Sequence, residues 1–280
     1  MKLATIRIQG GTRAARIDGD SATVLAAEDV GALLETPGWI GTAATATSAT
    51  MPTGELDYAP LIPRPDKVMC IGLNYRSHIA EMRGGDPPAY PTVFAKYRSA
   101  LIGAHDDIVL PPESSAVDWE AELAVIIGAA ARRVDRDGAV AAIAGYSVLN
   151  DVSMRDWQNR TLQFLQGKTW ESSTPLGPWL VTPDEPGATP GPEQRIGCAV
   201  DGEVVQASTT GELVFDAPEL VSYLSTVLTL LPGDVIATGT PGGVGAGRKP
   251  PRFLADGQVV ETTISGLGVL RNRCRAETAG

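Results

Sequence analysis

Residues 118–128 read DWEAELAVIIG, which places three carboxylates on alternate positions at the head of an apolar run. Because successive side chains of an extended strand point to opposite faces, Asp118, Glu120 and Glu122 are predicted to share one face. Carboxylates this close repel one another and are rarely buried without a positive partner. The pattern predicts either a strand whose outer face is simply acidic, which is the common case, or a site for a hard divalent cation.

A further carboxylate follows the apolar strand predicted at residues 145–149. Asp151 lies at the end of that strand, and Ser153 stands where a helix is predicted to begin. One interpretation is that both side chains only cap this helix, because Asp and Ser are favoured at helix starts. Together with the two glutamates, however, Asp151 completes an all-oxygen set that suits Mg²⁺ or Mn²⁺. Arg155 and Gln158 follow along the helix and are predicted to present donors to the same pocket.

Imidazole chemistry is confined to two residues, since His78 and His105 are the only histidines of the chain. His78 and Glu81 lie three residues apart in the helix predicted over residues 74–82 and are expected to share a helical face. A carboxylate beside an imidazole fixes its tautomer and raises its basicity, as a general base requires. An ordinary surface His–Glu pair is the alternative. His105 lies in a predicted turn and is the weaker candidate.

Two lysines and a glycine-rich segment complete the candidate site. Lys168 follows a glycine, as in a phosphate-binding loop, but Leu162 stands where that motif needs its first glycine. We interpret Lys168 as a cation near a substrate carboxylate or enolate, with a solvated lysine as the alternative. Lys96, inside an apolar run, is a second candidate for that role. Residues 238–245 lack the dinucleotide-binding spacing, and their backbone N–H groups and Thr240 are predicted either to bind a carboxylate or to form a plain tight turn.

The composition is that of a globular protein of 280 residues, with 43% apolar and 20% charged residues. Its net charge of −10 argues against binding to nucleic acid or to an anionic membrane. The three cysteines are widely spaced, so neither a zinc site nor a disulfide framework is indicated. The sequence contains no signal-peptide core and no apolar stretch of membrane-spanning length, and we expect a cytoplasmic location.

The chain is predicted to form two domains: a small N-terminal α+β domain, residues 1–62, and a larger domain, residues 63–280. Strands dominate the larger domain, and regular βαβ alternation is missing, which favours a mostly antiparallel or mixed β core with peripheral helices. The predicted fold class is therefore α+β, mainly β. Residues 41–53, rich in Ala, Thr and Ser, carry no clear signal. Helices are predicted over residues 28–35, 74–82, 137–143, 153–165 and 217–229.

Taken together, these segments resemble the fumarylacetoacetate hydrolase family over roughly residues 65–275. The resemblance depends on the order of five short blocks, each of which is weak alone: Gly72–Tyr75 with His78 and Glu81; Phe94–Lys96; Asp118–Leu123; Asn150–Ser153 with Arg155, Asp156 and Gln158; and Gly167–Lys168 followed by Pro175–Pro178 and Thr238–Pro241. It implies a β-roll fold, a mixed β-sandwich, that assembles as a homodimer.

The same resemblance implies roles for individual residues. Mg²⁺ or Mn²⁺ would be bound by three carboxylates: Glu120, Glu122 and Asp151. The catalytic groups would be a His–Glu pair and an oxyanion-stabilising lysine: His78, Glu81 and Lys168. The implied carboxylate-binding residue is Thr240, and we expect a small-molecule keto-acid substrate to contact three further donors: Arg155, Gln158 and Lys96.

Our leading hypothesis is a metal-dependent hydrolase that cleaves a C–C bond in an acylpyruvate-type β-diketo acid, such as fumarylpyruvate, in the catabolism of aromatic or related compounds. The His–Glu pair would deprotonate water, and the lysine would stabilise the oxyanion. The alternative uses the same metal–enolate site for keto–enol or 2-hydroxydienedioate isomerisation, or for decarboxylation of a β-keto acid of the oxaloacetate type. A third interpretation is a metal-stabilised binding module without activity, which the complete set of polar site residues argues against.

Overall fold

The computed structural model describes residues 1–82 and 84–278. These residues form a large mixed sheet, a five-stranded sheet and a two-stranded ribbon, with short helices at their margins. The strands are β1 Lys2–Ile8, β2 Gly11–Asp18, β3 Ser21–Val24, β4 Thr50–Pro52, β5 Asp57–Tyr58, β6 Val68–Gly72, β7 Thr92–Lys96, β8 Leu101–Ile102, β9 Ile108–Leu110, β10 Val117–Asp118, β11 Ala121–Ile127, β12 Ile143–Asn150, β13 Ser153–Met154, β14 Thr174–Val181, β15 Arg195–Val200, β16 Glu203–Thr209, β17 Val235–Ala237, β18 Val259–Ile264 and β19 Gly268–Ala276. The helices are α1 Val30–Leu34, α2 Trp39–Thr45, α3 Arg76–Met82, α4 Arg136–Ala142, α5 Arg155–Gln158, α6 Leu165–Lys168 and α7 Ala217–Val227.

The large sheet has the strand order β4-β3-β2-β1-β14-β12-β11-β17-β6-β7. Neighbours along this path are antiparallel, except that β17 and β6 run parallel. The central strands β11 and β12 are buried at every residue. Because both of their faces are covered, their sequences are nearly continuous apolar runs rather than alternating ones.

The N-terminal strands continue the large sheet. β1 pairs with β14 through Lys2 opposite Val181 and Leu3 opposite Leu180. The N-terminal segment and the larger region therefore share one hydrogen-bonded sheet. The predicted division between residues 62 and 63 crosses this continuous sheet and stays a prediction.

The five-stranded sheet, in the order β16-β15-β18-β19-β9, packs against the large sheet. Apolar side chains of both sheets belong to one buried cluster, for example Val125 and Val148 of the large sheet with Ile196 and Leu270 of the five-stranded sheet. The predicted α+β, mainly β class is confirmed, with two sheets that form a mixed sandwich.

Four of the five predicted helices are present as α1, α3, α4 and α7. The helix predicted over residues 153–165 is wrong, because only the short helix α5 lies within that span and the next helix, α6, begins at its last residue. The two helices pack so closely that a Cβ on Gly167 would lie 2.4 Å from the backbone nitrogen of Gln158.

Helix α2 begins just before residues 41–53, for which no element was predicted, and extends into them. The three cysteines are buried and unpaired. Within the described residues, no helix combines the length and the apolar character that crossing a membrane would require.

Candidate active site

The acidic stretch does not form one continuous strand. β10 ends at Asp118 and β11 begins at Ala121, so the two residues between them lie outside the ladder. Two side-chain amides hold the interrupted backbone: the N–H of Glu120 donates to Asn150 Oδ1 over 3.0 Å, and the N–H of Ala121 donates to Gln206 Oε1 over 2.9 Å. The prediction of one continuous strand is wrong, although Asp118 and Glu120 both pair with the Arg155 guanidinium.

Asp118 has its own buried set of partners. Its carboxylate accepts hydrogen bonds from Arg155 Nε over 2.8 Å and from the backbone N–H groups of Gly245 and Ala246 over 2.7 and 3.0 Å. This carboxylate therefore connects an arginine of the site to the glycine-rich loop, and it stands outside the acidic cluster.

Three other carboxylates do come together. One oxygen of each of Glu120, Glu122 and Asp151 lies within 4.8 Å of the other two, and all three side chains are buried. The backbone N–H of Asp151 donates to the carbonyl of Glu120 over 2.9 Å, which joins the end of β12 to the interrupted strand. The interpretation of a solvated acidic strand face is wrong, because these carboxylates face the interior.

The interpretation of Asp151 and Ser153 as helix caps is also wrong. α5 follows Met154, whose side chain makes no capping hydrogen bond, and Ser153 Oγ donates to the carbonyl of Asp151 over 2.7 Å. Both carboxylate oxygens of Asp151 instead accept hydrogen bonds from ammonium groups, from Lys96 Nζ over 2.6 Å and from Lys168 Nζ over 2.8 Å.

Lys168 and Arg155 supply positive charge on the cavity side of the acidic cluster. Lys168 is 2% exposed, and its Nζ lies 2.7 Å from Glu120 Oε2 and 2.8 Å from Asp151 Oδ2. Arg155 Nη2 lies 2.6 Å from Glu120 Oε1, as an ion pair that lacks the alignment of a hydrogen bond. The interpretation of Lys168 as a solvated lysine is therefore wrong.

Lys96 lies behind the acidic cluster and does not form part of the cavity wall. Its side chain is buried, and Nζ donates to Asp151 Oδ1 over 2.6 Å and to the carbonyl of Val152 over 3.2 Å. This geometry does not support the substrate contact expected of Lys96, because its ammonium group is already paired with the Asp151 carboxylate.

Glu122 is the carboxylate of this cluster that has no cationic partner among the described residues; its Oε2 accepts the backbone N–H of Gly239 over 2.8 Å. Burial and the neighbouring carboxylates raise the pKa of Glu122 well above its usual range. Burial also opposes ionisation of Glu120, but Lys168 and Arg155 outweigh it and lower the pKa of that carboxyl. A hard divalent cation among these oxygens would relieve the repulsion at Glu122, so the donor set fits Mg²⁺ or Mn²⁺.

His78 and Glu81 form a pair on α3. His78 Nδ1 lies 3.4 Å from Glu81 Oε2, and the backbone N–H of Gly243 lies 3.1 Å from both Glu81 oxygens. Burial acts to raise the pKa of Glu81, but the hydrogen bonds from His78 and Gly243 outweigh it, so the pKa is lowered. The His78 side chain is only 9% exposed, which excludes an ordinary surface pair. His105 is exposed and packs edge-on against Tyr58, outside the cavity.

A cavity of about 170 Å³ brings most of the expected residues together. Its wall carries polar groups from seven of them: His78, Glu120, Glu122, Arg155, Gln158, Lys168 and Thr240. Its apolar surface comes mainly from Ile71, Met82, Phe94 and Phe164. Three expected residues are not part of this wall: Asp151 and Lys96 are buried beside it, and Glu81 reaches it only through His78.

The glycine-rich loop supplies N–H groups to carboxylates of the protein itself. Three of these pairs are Gly239 with Glu122, Gly243 with Glu81, and Gly245 with Asp118. A Cβ on Gly245 would lie 1.9 Å from the carbonyl oxygen of Arg252, so only glycine fits there. These three backbone groups are therefore occupied by carboxylates of the protein rather than free for a substrate, and Thr240 of the same loop lies on the cavity wall.

Sequence reasoning missed Asn150 and Gln206, whose amides hold the interrupted strand. Asn150 ends a strand that is otherwise mainly apolar, and a polar amide at that position could have indicated a structural role. Gln206 had none, because one glutamine in a strand from a distant part of the chain looks like any surface residue.

Comparisons with known proteins identify a matching family model and similar proteins. The family model described as fumarylacetoacetate (FAA) hydrolase C-terminal matches residues 67–275. An oxaloacetate tautomerase of Bos taurus, described as mitochondrial, is 46% identical over 226 residues, which cover 80% of this chain and 71% of the bovine protein.

Two solved structures share the whole fold. The 2-hydroxyhepta-2,4-diene-1,7-dioate isomerase from Mycobacterium marinum has 31% identity and a TM-score of 0.81, over 100% of both chains. A fumarylacetoacetate hydrolase from Exiguobacterium antarcticum has 30% identity and a TM-score of 0.85, over 99% of this chain and 100% of the other. The similar proteins thus include a tautomerase, an isomerase and a hydrolase.

Proposed function

The chain is an enzyme of the fumarylacetoacetate hydrolase family, and on this basis we propose that it interconverts the keto and enol forms of a short 2-oxo dicarboxylic acid such as oxaloacetate. The observation that carries the proposal is the cavity in which buried His78, paired with Glu81, meets a buried acidic cluster. The likeness to the bovine oxaloacetate tautomerase supports the substrate class. The cavity, about 170 Å³, is smaller than the roughly 300–1,000 Å³ of pockets for drug-sized ligands, which favours a small acid.

Glu120, Glu122 and Asp151 would hold the divalent cation. When bound, such a cation acts as a Lewis acid on the oxygens of a 2-oxo acid and makes the neighbouring C–H group more acidic. Lys96 Nζ lies 2.6 Å from Asp151 Oδ1, and this buried ion pair positions the Asp151 carboxylate without a contribution from the substrate.

Keto–enol interconversion needs one proton to leave C3 and one to reach the C2 oxygen. Glu81 stands beside Nδ1 of His78 and favours the tautomer in which Nε2 is the basic nitrogen. His78 accepts the C3 proton at Nε2 and returns a proton to the oxygen, while the ammonium of Lys168 stabilises the negative charge that develops there. No atom leaves the substrate, so the reaction needs no further reactant.

The two carboxylates of the substrate need donors, which Gln158 and Thr240 of the cavity wall provide. Gln158 Oε1 accepts a hydrogen bond from Arg155 Nη1 over 2.9 Å, so the amide is turned with its N–H₂ group away from the arginine. The Gln158 amide and the Thr240 hydroxyl serve as donors to substrate carboxylates, and Arg155 holds both Gln158 and Glu120 in position.

The second candidate is hydrolysis of a C–C bond in an acylpyruvate, our leading hypothesis from the sequence. The same His78–Glu81 pair suits the deprotonation of water, and the similar structure of a fumarylacetoacetate hydrolase favours this reaction as well. Tautomerisation is the better supported of the two reactions, because the bovine protein with 46% sequence identity is described as an oxaloacetate tautomerase.

A product assay with the Mg²⁺-loaded protein separates these reactions. The enol of oxaloacetate is followed by its ultraviolet absorbance, and pyruvate and CO₂ are measured in parallel, with acetylpyruvate and fumarylpyruvate as hydrolase substrates. The proposal expects accelerated loss of the enol without pyruvate or CO₂. Pyruvate from either acylpyruvate would establish hydrolysis instead, CO₂ from oxaloacetate would establish decarboxylation, and no change with any substrate would contradict all three activities.

Several expectations about the surroundings of the enzyme stay predictions. These are the homodimer, the absence of nucleic-acid and membrane partners, the place in aromatic catabolism and the cytoplasmic location. The description of the bovine relative as mitochondrial gives no support to the last of these.

A further inference from the structure

Gln206 lies outside the cavity wall, yet it contacts two parts of the site. It belongs to β16 of the five-stranded sheet and is 2% exposed. Its Oε1 accepts the N–H of Ala121 over 2.9 Å, and its Nε2 donates to Thr240 Oγ over 2.8 Å and to the carbonyl of Pro241 over 2.9 Å. One side chain thus joins the residue between Glu120 and Glu122 to the threonine of the cavity wall.

The direction of these hydrogen bonds is set by backbone groups that have only one role. The Ala121 N–H can only donate, and the Pro241 carbonyl can only accept. If the Gln206 amide were rotated by half a turn, its NH₂ would face the Ala121 N–H and its oxygen would face the Pro241 carbonyl. The orientation with Nε2 towards Thr240 is therefore the one that satisfies all three contacts.

A consequence follows for the Thr240 hydroxyl. A free hydroxyl can donate and accept hydrogen bonds, but Thr240 Oγ already accepts one from Gln206 Nε2. Within the described part of the chain it donates to no protein group, and Thr240 lies on the cavity wall. The hydroxyl proton is thus left for an acceptor in the cavity, such as a carboxylate oxygen.

We propose that Gln206 is a positioning residue that keeps the Thr240 hydroxyl as a donor to a substrate carboxylate and ties it to the strand that carries Glu120 and Glu122. This role rests on the proposed function for the identity of the substrate. The oxygen and the nitrogen of the Gln206 amide are both hydrogen-bonded. One side chain therefore sets the distance between the Thr240 hydroxyl and the acidic cluster.

The substitution Gln206→Glu tests the direction of the hydrogen bond. Glutamate has nearly the same shape and keeps an acceptor for the Ala121 N–H, but its ionised carboxylate cannot donate to Thr240. The Thr240 hydroxyl then donates to this carboxylate and is lost to the substrate. We expect the KM for oxaloacetate to rise about 10-fold to 100-fold, as for loss of a hydrogen bond to a charged group, with kcat within about threefold.

Two comparisons separate positioning from a general disturbance. In the Thr240→Val background, Gln206→Glu is expected to leave KM nearly unchanged, because the hydroxyl it acts through is gone. Gln9→Glu makes the same chemical change in an exposed turn and is expected to leave both constants unchanged. An equal rise of KM with and without the Thr240 hydroxyl, or a fall of kcat without a rise of KM, would overturn the proposal.

A crystal structure of the unmodified protein with Mg²⁺ and oxaloacetate tests the same point without any variant that has to fold. We expect a carboxylate oxygen within about 3.2 Å of Thr240 Oγ while Gln206 Nε2 still donates to that hydroxyl. Absence of any carboxylate oxygen within about 3.5 Å of Thr240 Oγ would overturn the proposal. A carboxylate found there in a protein without tautomerase activity would support the role of Gln206 and contradict the proposed reaction.

Discussion

At the scale of single residues, the site combines three buried carboxylates, Glu120, Glu122 and Asp151, with the ammonium groups of lysines that contact two of them. The carboxylates were predicted from their charge and from their places beside apolar strands. The positions of Lys96 and Gln206 were not predictable, because each side chain reaches the site from a strand that is distant in sequence. A contact of this kind leaves no periodic pattern in the sequence near either partner.

His78 is expected to be needed for proton transfer and not for metal binding. We predict that His78→Ala lowers the rate of oxaloacetate tautomerisation about 10²-fold to 10⁴-fold, the range for loss of a general base. The affinity for Mn²⁺, measured by isothermal titration calorimetry, should stay nearly unchanged. His105→Ala removes the only other histidine and serves as the matched control, with no expected change. A comparable loss of Mn²⁺ affinity in His78→Ala would refute the assigned role.

Lys168 contacts Glu120 and Asp151, two of the three carboxylates that would hold the cation, so the two positive charges would compete for them. We predict that Lys168→Met lowers kcat about 10²-fold to 10³-fold, as for loss of an oxyanion-stabilising donor. Mn²⁺ binding in the same variant should be at least as tight as in the unmodified protein, because a neighbouring positive charge is gone. Lys249→Met, at an exposed position, is the control. Mn²⁺ binding weaker by about tenfold or more in Lys168→Met would show that the lysine supports the metal site.

At the scale of elements, the sequence located strands and helices better than their interruptions. The period-2 pattern of residues 118–128 predicted one strand, but Asn150 and Gln206 replace the ladder at the break. The helix predicted over 153–165 is also interrupted: the chain leaves α5 after Gln158 and returns as α6, whose Gly167 packs against the backbone of Gln158. Local patterns report local preferences, whereas the break at residues 119–120 is held by partners distant in sequence.

The contact between α5 and α6 is predicted to depend on Gly167. A Cβ there would lie 2.4 Å from the backbone nitrogen of Gln158, which a rigid backbone cannot accommodate. We expect Gly167→Ala to lower the free energy of unfolding by about 1–3 kcal/mol through overpacking and to displace the neighbouring Lys168. Chemical denaturation and kcat measure the two effects. Gly41→Ala, where nothing lies within 4 Å of the added Cβ, is the matched control, and equal behaviour of both variants would contradict this view of the contact.

Helix α7 begins at a charged cap whose contribution should depend on pH. Asp216 accepts the N–H of Glu219 over 3.0 Å and pairs with Arg136. Burial acts to raise the pKa of Asp216, but these two contacts outweigh it, so the folded-state pKa is lowered. The stabilisation is therefore present above the ordinary aspartate pKa of about 3.9 and is lost as pH falls through the lowered folded-state value.

The substitution Asp216→Ala is predicted to lower the free energy of unfolding by about 1 kcal/mol at pH 7, from the loss of the cap. Asp216→Asn keeps a capping side chain and loses only the charge, so it should be destabilised less. Urea denaturation at pH 7 and at steps below pH 4 measures both. A difference between Asp216→Ala and the unmodified protein that grows as pH falls would contradict the sign of the effect.

At the scale of the whole molecule, the composition and the prevalence of predicted strands indicated the fold class. The order of the strands in the sheets could not be predicted from local sequence patterns. The large sheet joins β1 to β14 across 170 or more residues, and such pairing depends on matching whole surfaces. The site lies where the two sheets meet: β11 and β12 of the large sheet supply the carboxylates or their neighbours, and β16 of the other sheet supplies Gln206. The sandwich therefore positions the site as well as stabilising the chain.

The central claim is that one divalent cation binds among Glu120, Glu122 and Asp151. Isothermal titration with Mn²⁺ tests it most directly, on the unmodified protein, on Glu122→Gln and on Glu113→Gln, which makes the same change at an exposed position. The account predicts one ion per chain for the unmodified protein and for Glu113→Gln, and an affinity weaker by about 100-fold or more for Glu122→Gln, whose amide cannot supply the lost charge. Equal Mn²⁺ affinity and stoichiometry in all three proteins would contradict it.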